Sequence, residues 1–209
     1  MELLASITVI ALLLAVAVPF VAKVIDNARA SQCASNLRQL YVGVQGFAND
    51  NGGRLPASAG RTDSDSHEWS GDWWFESIEP YLDEGAGWTR ERGAADSTVF
   101  ACPSGEPPDR WGGHYGMNAI VLPFRRPSES RVLRTAVREP SRTLLLGDSD
   151  TVYINSQFVD KGADAAHGTL AFRHRDRANV LYFDGHVEAV SRTQTADPEF
   201  RAELMGVDE

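Results

Sequence analysis

Residues Leu3 to Ala22 carry no charged side chain, and this constrains the chain more than any other feature. Twenty such residues rise about 30 Å as a helix, the thickness of a bilayer's hydrocarbon core. Glu2 is the one charge before Lys23. Three readings suit the segment. A cleaved signal peptide wants a basic start and a shorter apolar core. A plain signal anchor prefers Lys or Arg on its cytoplasmic flank, yet Lys23 and Arg29 stand on the other side. In the third, Glu2 is functional, because a carboxylate at the edge of a hydrocarbon span is costly without a partner.

The helical pattern runs past Lys23 without a breaker to Asn49. Leu37, Leu40, Tyr41, Val44 and Ala48 fall at helical spacing and form one apolar stripe. Asn51-Gly52-Gly53 then gives a stop signal. The spacing predicts one helix of about 50 residues, roughly 75 Å long. Residues 1–22 suit lipid, and residues 23–52 form an amphipathic half that can pack on a globular domain. Pro19 removes one backbone hydrogen bond, so a kink or local melting is expected there.

Residues 53–190 then read as one globular domain. Its first part is rich in Gly, Pro and Trp, with a brief helix expected around Trp73 to Leu82. Trp69, Trp73, Trp74, Phe75 and Tyr81 read as core and cover. From Thr143 on, short apolar runs bounded by turn residues predict strands at Thr143–Gly147, Val152–Ile154, Leu170–Phe172, Asn179–Phe183 and Val187–Val190. Asp184-Gly185 between the last two predicts a hairpin with a type I′ turn. Helix first and antiparallel sheet later makes an α+β domain. Residues 191–209 are polar and acidic, and read as a frayed tail.

The net charge of −9 argues against nucleic-acid binding, which needs surplus Lys and Arg. His167, His174 and His186 accompany Asp148, Asp150 and Asp184, but their spacing matches no metal-hydrolase or nucleophile motif. His174 and His186 are expected on the solvent face of strands. Asp148-Ser149-Asp150 offers hard oxygens in a turn and is a candidate calcium site; the alternative is that both carboxylates only shape the turn. Cys33 and Cys102 form either one disulfide across about 70 residues, worth roughly 4 kcal/mol in the chain-entropy model, or two buried free thiols.

A Glu heading an apolar helix, a Pro 17 residues later and an amphipathic extension resemble the N-terminus of type IV pilins and type II secretion pseudopilins. By that resemblance Glu2 matches the family's fifth mature residue and Pro19 its helix-kinking proline; the leader and the first three mature residues are absent. Ala30-Ser31-Gln32-Cys33-Ala34-Ser35-Asn36-Leu37-Arg38-Gln39-Leu40 is similar to a stretch of a large pilin-like subfamily common in Planctomycetes. Ala48 to Pro56, Trp74 to Leu82, Phe100-Ala101-Cys102-Pro103 and Tyr115-Gly116-Met117-Asn118 resemble its further motifs in order. His174 followed nine residues later by Asp184-Gly185 matches its His-x9-Asp-Gly signature.

The resemblance implies a pilin-like fold, with the long helix lying against the sheet. It implies a non-enzymatic pseudopilin that waits in the bacterial inner membrane with its globular domain in the periplasm and polymerises into a filament. Implied partners are the membrane, copies of itself, other pseudopilins, a prepilin peptidase and a secretion-system assembly platform. Major pseudopilins use a calcium site in the C-terminal loop region, with which Asp148 and Asp150 do not align residue by residue. Two rival functions are a membrane-tethered periplasmic binding module and a tethered metal-dependent hydrolase.

Overall fold

The computed structural model describes residues 2–59, 73–82, 99–105, 114–123, 131–155 and 168–206, with side chains from residue 6 onward. Trp69 and His167 lie outside the described residues. Helix α1 runs unbroken from Glu2 to Asp50, 49 residues with Pro19 inside. No melting interrupts it there: Pro19 removes a single backbone donor, and the turns on both sides keep the helix registered. The end of α1 follows the sequence signal. Gly52 and Gly53 take positive φ, and the Gly53 N–H returns to the Ala48 carbonyl at 2.7 Å. This satisfies a carbonyl that the last turn leaves open.

The two halves of α1 differ in surroundings. From Ile7 to Ile25 the large apolar side chains are 45–68% exposed, on every side of the helix. From Cys33 on, one face closes: Cys33, Leu37, Leu40, Val44 and Ala48 are fully buried. Their i, i+3/i+4 spacing keeps them on one stripe. That stripe lies against the sheet and against helix α2, Trp74–Ile78. Trp73, Trp74 and Phe75 are buried in the same core, as their area leads one to expect.

Among the described residues the sheet has five strands: β1 (Tyr115–Asn118), β2 (Leu144–Asp148), β3 (Tyr153–Ile154), β4 (Arg177–Tyr182) and β5 (Val187–Ser191). Their spatial order is β3-β1-β2-β4-β5. Three pairings are antiparallel, but β1 and β3 run parallel, so the sheet is mixed rather than wholly antiparallel. Only four residues join β2 to β3, yet β3 pairs with the far side of β1 rather than with β2. Leu170 forms only an isolated bridge to Ser149 in place of a strand over Leu170–Phe172.

Both faces of the sheet are covered. Alternation along β4 directs Leu181 to the α1 side, and Ala178, Val180 and Tyr182 to the other. The second face is closed by the C-terminal segment, which is folded rather than frayed. Helix α3 spans Arg192–Ala196 and α4 spans Pro198–Met205. Leu204 and Met205 are buried there beside Leu144 and Val190. Buried Asn118 ties this helix to the sheet, donating to the carbonyls of Leu144 and Met205.

The β4–β5 connection also differs from expectation. Of Asp184 and Gly185, only Gly185 has positive φ, at 96°. The Gly185 N–H bonds the Tyr182 carbonyl, and the Tyr182 N–H bonds the His186 carbonyl. This is a three-residue loop in which a type I turn is followed by a left-handed glycine, a different solution to the same strand twist. The type I′ geometry occurs elsewhere. Arg175 and Asp176 both have positive φ, and His174 and Arg177 exchange backbone hydrogen bonds across them.

Candidate functional site

Four side chains far apart in sequence meet beneath α1. Cys33 is the first fully buried residue of the helix stripe. Asp148 ends the central strand β2 and is fully buried. His174 opens the tight turn before β4, and Cys102 lies in the loop following Phe100. The donor atoms of these four residues all lie within 4.8 Å of one another.

The contacts are direct. The Cys33 thiol donates to Asp148 Oδ1 at 2.9 Å. Asp148 Oδ2 accepts the Asn179 N–H at 2.7 Å and lies 3.2 Å from His174 Nε2. His174 Nε2 is 3.4 Å from Cys102 Sγ. A second layer holds these groups in place. Tyr115 Oη is 3.1 Å from Cys33 Sγ, and Asn36 donates to Tyr115 Oη and to the Ala101 carbonyl. The Cys102 N–H donates to His114 Nδ1 at 2.9 Å, fixing the loop. Arg173, only 11% exposed, donates to the Ser149 carbonyl and pairs with Asp150.

Burial and close neighbours together set the charge states. Burial, reinforced by Cys102 and Asp148, pushes the Cys33 thiol far up. The neighbouring Cys33 thiol draws Cys102 down to about 5, against burial and with help from His174. Burial opposes a charged His174, but hydrogen bonds to Asp148 and Cys102 outweigh it and raise it to about 9. Burial likewise pushes Tyr115 well up, keeping it a neutral donor. These shifts favour a thiol at Cys33, a thiolate at Cys102 and an imidazolium at His174.

The residues singled out from sequence are distributed as follows. Cys33, Cys102, Asp148 and His174 converge. The two cysteines are free thiols rather than a disulfide, each engaged by its polar neighbours. His174 is buried, not on a solvent face, because the left-handed turn aims its ring inward. Asp148 and Asp150 do not share a calcium turn: Asp148 is sealed in the cluster, while Asp150 is 75% exposed and neutralised by Arg173. Asp184 caps its own turn, accepting from the His186 N–H and imidazole. Gly185 packs on α1 at Tyr41. Glu2 begins α1, and Pro19 lies in its exposed half. Sequence reasoning did not single out Asn36, Tyr115, Arg173 or Asn179 as parts of one site. Asn36, three residues after Cys33, carried the one local signal, since that spacing shares a helix face.

The family model described as "Protein of unknown function (DUF1559)" matches residues 26–157. That span holds the packed half of α1 together with Cys33, Cys102 and Asp148. No curated protein and no solved structure matches. The family match covers more than half of the chain, and the chain belongs to the DUF1559 family.

Proposed function

We propose that this protein is a pilin-like subunit, held in a bilayer by the first half of α1 and able to assemble into a filament with copies of itself. One observation carries the reading. The apolar side chains from Ile7 to Ile25 are exposed all around the helix, not along one seam. This half is long and apolar enough to cross a membrane. A helix apolar on every side needs an apolar environment on every side. Lipid supplies it before assembly, and neighbouring helices would supply it afterwards.

In this reading the folded half of α1 is the handle by which the domain is carried, and no catalytic step is required. Glu2 sets the register: its carboxylate neutralises a partner's N-terminal amine within the helix bundle, where an unpaired charge is expensive. The resemblance to pseudopilins supports a periplasmic domain and processing by a prepilin peptidase.

Glu2→Ala tests this in cells that express the full chain. Membrane insertion and folding are expected to persist, while sheared or pelleted filaments lose the protein. Normal filament incorporation by the variant would remove the role given to Glu2. A wild-type chain that stays monomeric under all conditions would favour a tethered binding module.

A further inference from the structure

We propose that Cys33, Cys102, Asp148 and His174 form a tetrahedral zinc site that pins the long helix to the sheet. The inference rests on the cluster alone and stands whether or not the protein forms filaments.

Geometry comes first. With metal–sulfur bonds near 2.3 Å and metal–nitrogen or –oxygen bonds near 2.0 Å, tetrahedral donors lie about 3.3–3.8 Å apart. The contacts here are 2.9 Å for Cys33 Sγ to Asp148 Oδ1, 3.2 Å for His174 Nε2 to Asp148 Oδ2 and 3.4 Å for Cys102 Sγ to His174 Nε2. No pair of donor atoms exceeds 4.8 Å. Adjustments of about 1 Å or less bring all four into bonding range.

Donor chemistry selects the ion. Two thiolates with one imidazole and one carboxylate form a borderline-soft set, suited to zinc and poorly suited to calcium or magnesium. Four protein ligands on a buried site leave no open position, the pattern of a structural site. Two thiolates and the Asp148 carboxylate carry three negative charges, of which Zn²⁺ offsets two; the nearby Arg173 guanidinium, shared with exposed Asp150, eases the remainder. Arg173 Nη1 is buried without a hydrogen-bond partner, so charge is its contribution at that end. On binding, the Cys33 thiol proton and the His174 Nε2 proton leave to solvent, so that each sulfur and Nε2 can give a lone pair to the metal.

The surroundings already orient the ligands. Tyr115 Oη supports Cys33 Sγ, the Asn179 N–H holds Asp148 Oδ2, and His114 fixes the Cys102 backbone. Such outer partners set ligand direction in metal sites. The position explains the purpose. Cys33 is where α1 passes from exposed to buried, so zinc would clamp the helix at its entry into the domain.

The test uses the full chain in detergent, reduced and stripped of metal, then given Zn²⁺ alone. One equivalent per chain is expected by elemental analysis. With Co²⁺ as the probe, the wild type should show a thiolate-to-cobalt charge-transfer band and tetrahedral visible bands. Cys102→Ser and His174→Ala should weaken binding beyond the roughly 10–100-fold typical for losing an outer partner of a metal ligand. Asp150→Ala and His186→Ala should retain the full equivalent. The cobalt spectrum needs no variant, so misfolding of a substituted chain cannot mask the answer. A folded, reduced wild type that takes up no zinc, or binds cobalt without a thiolate band, overturns the proposal. So does a Cys33–Cys102 disulfide in protein taken from native membranes.

Discussion

Gly185 of the β4–β5 turn lies flat against the Tyr41 ring of α1. A Cβ built at Gly185 would sit 2.6 Å from Tyr41 Cε1. The Tyr41 hydroxyl donates to the Phe183 carbonyl of the same turn at 3.3 Å. Both ends of the His-x9-Asp-Gly signature therefore face the long helix, His174 through Cys33's cluster and Gly185 through Tyr41. The signature reads as the docking surface for α1.

Gly185→Ala consequently meets two penalties, a left-handed φ of 96° and a collision with an aromatic ring. We expect a loss of about 1–3 kcal/mol. Gly52 also has positive φ, but open space around its Cβ position. Gly52→Ala should cost only about 1 kcal/mol for the backbone term. Thermal unfolding of the two variants in the same detergent checks the order.

The packing of α1 makes a sharp contrast between near neighbours. Leu40 is fully buried and Val42 is 63% exposed. Leu40→Ala should destabilise the domain by about 2–5 kcal/mol through cavity formation. Val42→Ala should stay within about 0.5 kcal/mol. Denaturant midpoints that moved equally would contradict the register assigned to α1.

Asp148 and Asp150 should separate just as clearly. Asp148 is sealed among Cys33, His174 and the Asn179 N–H, so Asp148→Asn leaves buried partners uncompensated and should cost about 3–5 kcal/mol. Asp150 is mostly exposed beside Arg173, and Asp150→Asn should cost no more than about 1 kcal/mol. Urea unfolding of both variants under reducing conditions reads the difference.

The C-terminal helix offers a fourth test. Leu204 is buried against Leu144 and Val190, although the segment is polar in composition. Leu204→Ala should cost about 2–5 kcal/mol, whereas a frayed tail would register nothing. Protease resistance near residues 192–206 should fall with it.

Much of this architecture was readable in advance, for identifiable reasons. The long helix, its apolar stripe and its Asn-Gly-Gly stop follow a period and a chain-termination chemistry that are local. Strands β2, β4 and β5 announced themselves as apolar runs between turn residues. Strand β1 did not, because Tyr-Gly-Met-Asn is short and carries a glycine where side-chain packing would usually give the signal. The C-terminal helices were missed although their caps stand in the sequence. Ser191 and Gln194 form a capping box, Asp197 caps α4 before Pro198, and Gly206 ends it in left-handed geometry. Their small buried face let overall polarity dominate the reading.

The cluster was legible only in pieces. Cys33, Cys102, Asp148 and His174 each drew notice for separate reasons. Cys33 and Asp148 are 115 residues apart, and nothing local joins them. The turn that aims His174 inward relies on left-handed Arg175 and Asp176; Asp tolerates that conformation, but Arg does not advertise it. Tertiary packing imposes it, with Arg175 bonded to Asp26 and to the Lys23 carbonyl of α1.

The central claim is that the exposed half of α1 packs against other copies of the same helix. Leu13→Cys places a thiol at a site 64% exposed in the apolar segment, and oxidative cross-linking of the full chain in its native cells tests the claim directly. The account predicts a ladder of cross-linked multimers in the filament fraction, lost when Glu2→Ala is added. A protein that remains monomeric in the membrane, with no ladder under any condition, would contradict it.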